Sequence, residues 1–330
     1  MNFMRKNRIA RICRFTVMLG FALISVNQAQ SLDSMIAFSS NRDNPDGNPD
    51  IFIMKSDGSK PRNLTRNIAS RDLHPSWSPD GTKIAFESHS EDDSEVYVID
   101  VDGKNLIQLT KAAESDGHPS WSPDGLKIAF TSRRDGNFTG QFFALDLEVF
   151  VMGADGGSVV RLTRSAESDA DPSWSPDGKK IAFESQRDLD YEIYVMDTDG
   201  QNVVRLTQSI GWDSDPSWSP DGKHIAFRSV RDRDYEICIM DADGGNVVRL
   251  TQSLGWDGEP SWSPNGTRIA FASSRDGNSE IYVMDADGGN QINLTQNPAS
   301  DSKPAWSPAQ LSVSPKESML TLWATIKASQ

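Results

Sequence analysis

Cysteine, histidine and long apolar runs are all scarce in this chain of 330 residues. There are two cysteines, and only Cys238 lies beyond the basic N-terminal stretch that holds Cys13, so no disulfide framework is open to the fold and packing must stabilise it. Cys238 stands where sister segments carry Tyr97, Tyr194 and Tyr282, which marks it as a core variant. The mostly apolar run at 15–26 is twelve residues long, short of the about 20 that a membrane-spanning helix needs. Positive charge is also lacking, with 33 Lys+Arg against 47 Asp+Glu. All five charges before residue 30 are basic (Arg5, Lys6, Arg8, Arg11, Arg14), leaving 28 basic against 47 acidic residues beyond. A surface that acidic repels phosphate backbones, which disfavours nucleic-acid binding.

What is present begins with a leader pattern. A basic stretch, the short apolar run and then Asn27-Gln28-Ala29-Gln30-Ser31 have the layout of a secretory signal peptide, with Ala29 the expected last residue. Cys13 precedes the apolar run and so is not a lipid-attachment cysteine. The expectation is a periplasmic or secreted protein whose residues 1–29 are removed, with no stable membrane insertion afterwards. Four Asn-x-Thr triplets (at 63, 137, 265 and 293) are not read as glycan sites, since two sit in a repeated strand.

Internal repetition decides the fold. Ser/Ala-Trp-Ser-Pro recurs with Trp at 77, 121, 174, 218, 262 and 306, spaced by 44 residues except for one spacing of 53. Ile-Ala-Phe recurs at 36–38, 84–86, 128–130, 181–183, 225–227 and 269–271, and Leu-Thr at 64–65, 109–110, 162–163, 206–207, 250–251 and 294–295. Between these markers lie Pro-Asp-Gly and Asp-Gly turns, which accept the positive φ of tight hairpins. β-branched and aromatic residues fill the runs, and no helical period competes. Each unit therefore reads as four strands: A (Trp-Ser), B (Ile-Ala-Phe), C (Ile-Tyr-Val) and D (Leu-Thr), which is a propeller blade. The first Ile-Ala-Phe has no Trp-Ser-Pro before it and the last Trp-Ser-Pro has no Ile-Ala-Phe after it. The expected fold is thus all-β, a six-bladed propeller of four antiparallel strands per blade. The C-terminal strand A joins the N-terminal blade to close the ring, leaving no open edge. Residues 30–308 form the ring, and 309–330 a tail with no assigned structure.

The unit at 172–183 (Pro-Ser-Trp-Ser-Pro-Asp-Gly-Lys-Lys-Ile-Ala-Phe), followed by Glu192-Ile193-Tyr194-Val195-Met196-Asp197, resembles the repeat of TolB-like six-bladed propellers, as does the closing Pro304-Ala305-Trp306-Ser307-Pro308. The resemblance spans about residues 32–308 and implies the same ring. It also implies that a whole TolB carries an N-terminal α/β domain that engages the Tol machinery. Here the first blade strand starts at Met35, so a propeller without that domain is expected.

Strand order puts the A–B and C–D turns on one face and the D–A and B–C links on the other. The first face is monotonous. Its Asp-x-Asp-Gly sequences lack the later ligands of a helix–loop–helix calcium loop and read as turns. The second face varies. Five residues before each blade Trp stands an acid: Asp72, Asp116, Asp169, Asp213, Asp257 and Asp301. Three before it the series runs His74, His118, Asp171, Asp215, Glu259 and Lys303. Strand A is innermost, so these residues converge on the tunnel mouth, which is expected to be acidic. The invariant Asp either pairs with an Arg of a B–C link (Arg42, Arg134, Arg187, Arg231, Arg275) or caps backbone N–H groups, which is a scaffold role. The variable set is where ligand contacts are placed: Asp171, Asp215 and Glu259. Trp212 and Trp256, six before the blade Trp on successive blades, could stack on a sugar, hold a cation or anchor a side chain, or simply pack over the adjacent loop. The long B–C link behind the 53-residue spacing carries Phe138, Phe142 and Phe143 on the same face, a lid or docking element.

Two functions follow. The first is an exported, non-catalytic and monomeric recognition or scaffold propeller that binds an envelope or periplasmic protein or peptide, or less readily a glycan, at this mouth. The alternative is a metal-dependent propeller enzyme of lyase or lactonase type. In it His74 and His118, with Asp72 or Asp116, hold a divalent cation in the tunnel. No other cofactor is expected. No Gly-x-Ser-x-Gly elbow and no Ser-x-Asp-x-Gly-x-x-Trp box is present.

Overall fold

The computed structural model describes residues 34–308 apart from 45–46, 67–69, 91–92, 113, 135–146 and 232–233. The expected leader, the tail at 309–330 and the Phe138/Phe142/Phe143 loop lie outside the described residues. Among the described residues, twenty-four strands make six four-stranded antiparallel sheets. Blade 2 is typical: β4 (Arg71–Trp77), β5 (Lys83–His89), β6 (Ser94–Asp100) and β7 (Ile107–Gln108) pair in order from axis to rim. Blade 1 has β1 (Met35–Ser40), β2 (Asp50–Lys55) and β3 (Arg62–Asn63), with β24 (Asp301–Trp306) as its inner strand. The register Ile36↔Trp306 and Ala37↔Ala305, and the Met35 N–H donated to Ser307 Oγ at 2.8 Å, close the ring as the two unmatched ends required. No helix among the described residues is long and apolar enough to cross a membrane.

The recurrence of Ile-Ala-Phe has a packing cause. Side chains alternate along a strand, so Ile and Phe point to one side of a blade and Ala to the other. At every joint the Ala of one blade receives Ile, Phe and Trp of the next: Ala37 meets Ile84, Phe86 and Trp77, and Ala270 meets Ile36, Phe38 and Trp306 across the closure. Blades converge toward the axis, so one side must be small where the other is large. All six B-strand Phe side chains are fully buried, each a contribution of roughly 2 kcal/mol by area. Cys238 is buried in the joint between blades 4 and 5, where a core variant belongs.

The monotonous face is turn chemistry, as expected. Asp177 Oδ1 accepts the Lys179 N–H at 3.1 Å and Asp199 Oδ1 that of Gln201 at 3.0 Å. Gly200 is required there: its φ is +84° and an added Cβ would lie 2.6 Å from the Leu162 carbonyl oxygen of the preceding blade.

Candidate functional site

The variable position owes its direction to a bulge. In each of the five register sets of blades 2 to 6, strand A gains one residue on strand B around this point, as between Leu73/Ser76 and Ala170/Ser173, and blade 1 shifts in the same region. The extra residue takes the left-handed conformation: His74 (φ 53°), His118 (50°), Asp171 (50°), Asp215 (54°), Glu259 (58°) and Lys303 (54°). A proline follows each one and disfavours the right-handed helical alternative for the residue before it. The conformation costs about 1–2 kcal/mol per non-glycine residue, and it breaks the two-residue alternation so that these six side chains face the axis. Together with their six prolines they line one cavity of about 160 Å³. Beyond the proline ring a wider funnel of about 400 Å³ is lined by serines and tryptophans of the Pro-Ser-Trp segments. The convergence read from strand order is therefore present in space.

The invariant Asp two residues earlier does something else. All six are fully buried. Arg42 pairs with Asp301 at 2.6 Å, Arg187 with Asp169 at 2.8 Å, Arg275 with Asp257 at 2.9 Å, and Arg134 with Asp116. The guanidiniums also lie over blade aromatics, Arg187 at 4.8 Å from the Tyr194 ring centroid. Blade 2 has Ser90 at the Arg position, and Asp72 instead accepts hydroxyls from Ser70 (2.8 Å) and Ser88 (2.7 Å). Asp213 accepts from Ser229, and the Arg231 side chain is outside the described set. These contacts are those of the scaffold role. They also keep Asp72 and Asp116 away from the histidine pair, and the carboxylates beside His74 and His118 are Glu87 and Asp171.

A second layer was not read from the sequence. The residue after Ile-Ala-Phe supports the ring from strand B and varies as the ring does: Ser39, Glu87, Thr131, Glu184, Arg228 and Ala272. The signal was in plain view as one variable position inside a fixed motif. Glu87 lies 3.0 Å from His74 Nδ1 through Oε2, touches His89 Nε2, and accepts the His118 backbone N–H at 3.1 Å. Gly117 makes this approach possible, since a Cβ there would sit 2.2 Å from Glu87 Oε2. Thr131 and Glu184 accept the backbone N–H of Asp171 and Asp215, each at 3.3 Å.

Charge around the ring is largely compensated. His118 Nδ1 contacts Asp171, Arg228 Nε lies 3.1 Å from Asp215, and Lys303 Nζ lies 2.8 Å from Glu259. Carboxylates nevertheless crowd in one place, where one oxygen each of Asp171, Glu184 and Asp215 fall within 4.8 Å of one another. Burial, and then the charges of Asp171 and Asp215, push Glu184 well above the usual carboxylate range. The imidazoles of His74 and His118 lie tilted against each other, with centroids 3.8 Å apart and 38° between planes. Burial, with the positive charges of His118 and Lys303, lowers His74 to about 4. Burial also opposes charge on His118, but the Asp171 and Glu87 carboxylates outweigh it and raise His118 to about 9. Burial works against charge on Glu87 as well, yet the histidines around it hold its carboxyl well below the usual range.

The two tryptophans part company. Trp256 is half-buried against the joint between blades 6 and 1, and the Arg228 guanidinium lies 5.8 Å from its ring. It thus backs the arginine that faces Asp215. Trp212 is 49% exposed and meets Tyr191 edge-on at 6.1 Å. Tyr191 and Tyr235 are further residues the sequence reading passed over: Tyr235 lies under Arg228 at 5.8 Å, and burial with the Glu184 and Asp171 charges raises Tyr191. The D–A links that carry the tryptophans also present Ile210 and Leu254 almost fully to solvent, and the neighbouring B–C link presents Leu189.

Comparison with known proteins agrees with this architecture. A family model described as the TolB beta propeller domain matches residues 70–148 and 189–314. A TolB homolog of Chlorobium luteolum is 32% identical over 155 residues, which is 47% of this chain and 32% of that protein. An uncharacterized protein of Agrobacterium fabrum is 34% identical over 139 residues, 42% of this chain and 44% of that protein. The matched region is thus less than half the length of these curated relatives. The crystal structure of TolB from Acinetobacter baumannii superposes with a TM-score of 0.74 at 28% identity, covering 84% of this chain and 67% of that one.

Proposed function

The chain belongs to the TolB β-propeller domain family, and on that premise we propose that it is a recognition module whose well accepts a basic side chain of a protein or peptide partner. The observation that carries this reading is the crowding of Asp171, Glu184 and Asp215 within 4.8 Å. Like charges that close repel, and a cation set between them relieves the repulsion. Arg228 already serves one side of Asp215 and His118 one side of Asp171, which leaves the Glu184 side of the trio for an incoming ammonium or guanidinium. Trp212, Ile210 and Leu254 stand exposed on the links that enter blades 5 and 6, on the face to which the well belongs, and supply apolar contact for the flanking residues of such a segment. The leader pattern supports a location outside the cytoplasm, and envelope or periplasmic proteins are the proposed partners.

The test is fluorescence anisotropy with neutral peptides carrying one Lys, and the same peptides with that lysine acetylated. The reading expects saturable binding of the basic set, loss on acetylation, and at least tenfold weaker binding by Asp171→Asn or Asp215→Asn. Equal binding of acetylated and unmodified peptides sinks it. Capture from envelope extract by wild type and by a Trp212→Ala/Trp256→Ala variant addresses the rim, and identical partner lists remove the tryptophans from the site.

A further inference from the structure

We propose that His74, His118 and Asp171 form a binding site for a transition-metal dication of the zinc class, with Glu87 as the residue that orients its histidines. The three offer one nitrogen each from two imidazoles and one carboxylate oxygen, and these donor atoms lie within 4.8 Å of one another. A tetrahedral ion with bonds of about 2.0–2.2 Å holds its donors about 3.4 Å apart, so the closing movement is small. The donors come from adjacent blades 2, 3 and 4, and the left-handed bulge turns all three side chains to one cavity.

The surroundings are those of a metal ligand set. Glu87 Oε2 lies 3.0 Å from His74 Nδ1, close but outside hydrogen-bond geometry, and the buried Nε2 of His74 has no hydrogen-bond partner either. A histidine with a carboxylate beside one nitrogen and its other nitrogen unengaged is poised for the usual outer-shell arrangement around zinc. Lys303, the lysine of the same ring, is held by Glu259 at 2.8 Å from its Nζ. A mixed nitrogen and oxygen set suits Zn²⁺, Ni²⁺ or Co²⁺, whereas Ca²⁺ and Mg²⁺ take all-oxygen shells. The site shares Asp171 with the carboxylate trio of the peptide reading but not its two histidines, so a titration run without peptide and the histidine variants test it separately.

The experiment is calorimetric titration of tag-free, chelator-treated protein with Zn²⁺, in the presence and absence of millimolar Ca²⁺. One equivalent bound with micromolar or tighter affinity, and unaffected by Ca²⁺, is the expected result. His74→Asn with His118→Asn should abolish saturable uptake (Asn tolerates the left-handed backbone). Glu87→Gln should weaken it about tenfold, the size of an outer-shell loss, and Asp177→Asn, in a turn of the opposite face where blade 6 already has Asn265, should leave it within threefold. Absence of saturable Zn²⁺ uptake by the wild type, or uptake unchanged in the double variant, overturns the proposal. Should the double variant fail to fold, the visible spectrum of Co²⁺-loaded wild type decides. Bands of a four- or five-coordinate ion uphold the site, and the weak spectrum of the aqueous ion rejects it.

Discussion

Two positions of strand A, only two residues apart, behave as opposites. The earlier one is Asp in all six blades and is sealed from solvent, paired with Arg in blades 1, 3, 4 and 6 and with serine hydroxyls in blade 2. The later one is never the same in more than two blades and lines the axial cavity. The residue inserted by the bulge separates them, since without it both side chains would point to the same side of the strand. The contrast teaches that repetition in this ring marks structure and departure from repetition marks chemistry.

The sharpest way to break the comparison is to exchange the roles. Asp169→Ala strands the Arg187 guanidinium in the blade and should cost about 3–5 kcal/mol, read as a fall in the urea midpoint. A loss below 1 kcal/mol would show that the invariant ring is not the scaffold. Next in size is Trp256→Ala, which removes packing at a joint and behind Arg228 and should cost about 2 kcal/mol, against under about 1 kcal/mol for half-exposed Trp212→Ala. Equal losses from the two would erase the distinction between them. Smaller again is Asp171→Asn, which keeps a residue suited to the left-handed backbone. Its stability should stay within about 1 kcal/mol of wild type, while ligand or metal affinity falls.

The smallest effect is a pH dependence on the scaffold side, remote from the ring. At the rim of blades 3, 4 and 5 a Glu is paired with Arg161, Arg205 or Arg249, but blade 2 has Gln108 at the matching position. Burial raises Glu95 there to about 7, against the Thr110 hydroxyl that lowers it and with Asp116 adding to the rise. A carboxyl raised on folding binds its proton more tightly in the native state. Native stability therefore gains as pH falls from above 7 toward 4.5 and is lost again above 7. Glu95→Gln should remove that slope, raising the urea midpoint at pH 8 and leaving it unchanged at pH 5. The effect should be below about 1 kcal/mol because solvent screens the group. An unaltered slope in the variant would assign it elsewhere.

Much of this was legible in the chain because the determinants are local. The blade count, the closure by Trp306 beside Ile36 and the turn reading of Asp-x-Asp-Gly all rest on spacing and on the backbone preferences of a few adjacent residues. The six ring residues were legible as well, because each sits at a constant distance from its Trp. The acid paired with His74 was not. Asp72 is closer in sequence, but Glu87 comes from the neighbouring strand and reaches the ring through the space that Gly117 leaves empty. Nor was the divergence of Trp212 from Trp256, two residues in the same sequence context, since Tyr191 takes one and Arg228 the other.

The sequence alone determined how many blades form, how they lock and which six side chains meet, because hydrophobic alternation and turn chemistry act over a few residues. Only the tertiary structure decided how those six are paired and where carboxylates stay crowded. His118 finds Asp171, Lys303 finds Glu259, and Asp171 and Asp215 still crowd Glu184 of the layer behind them. Coulomb energy depends on separation in space, and ring closure brings together residues that are tens of positions apart along the chain.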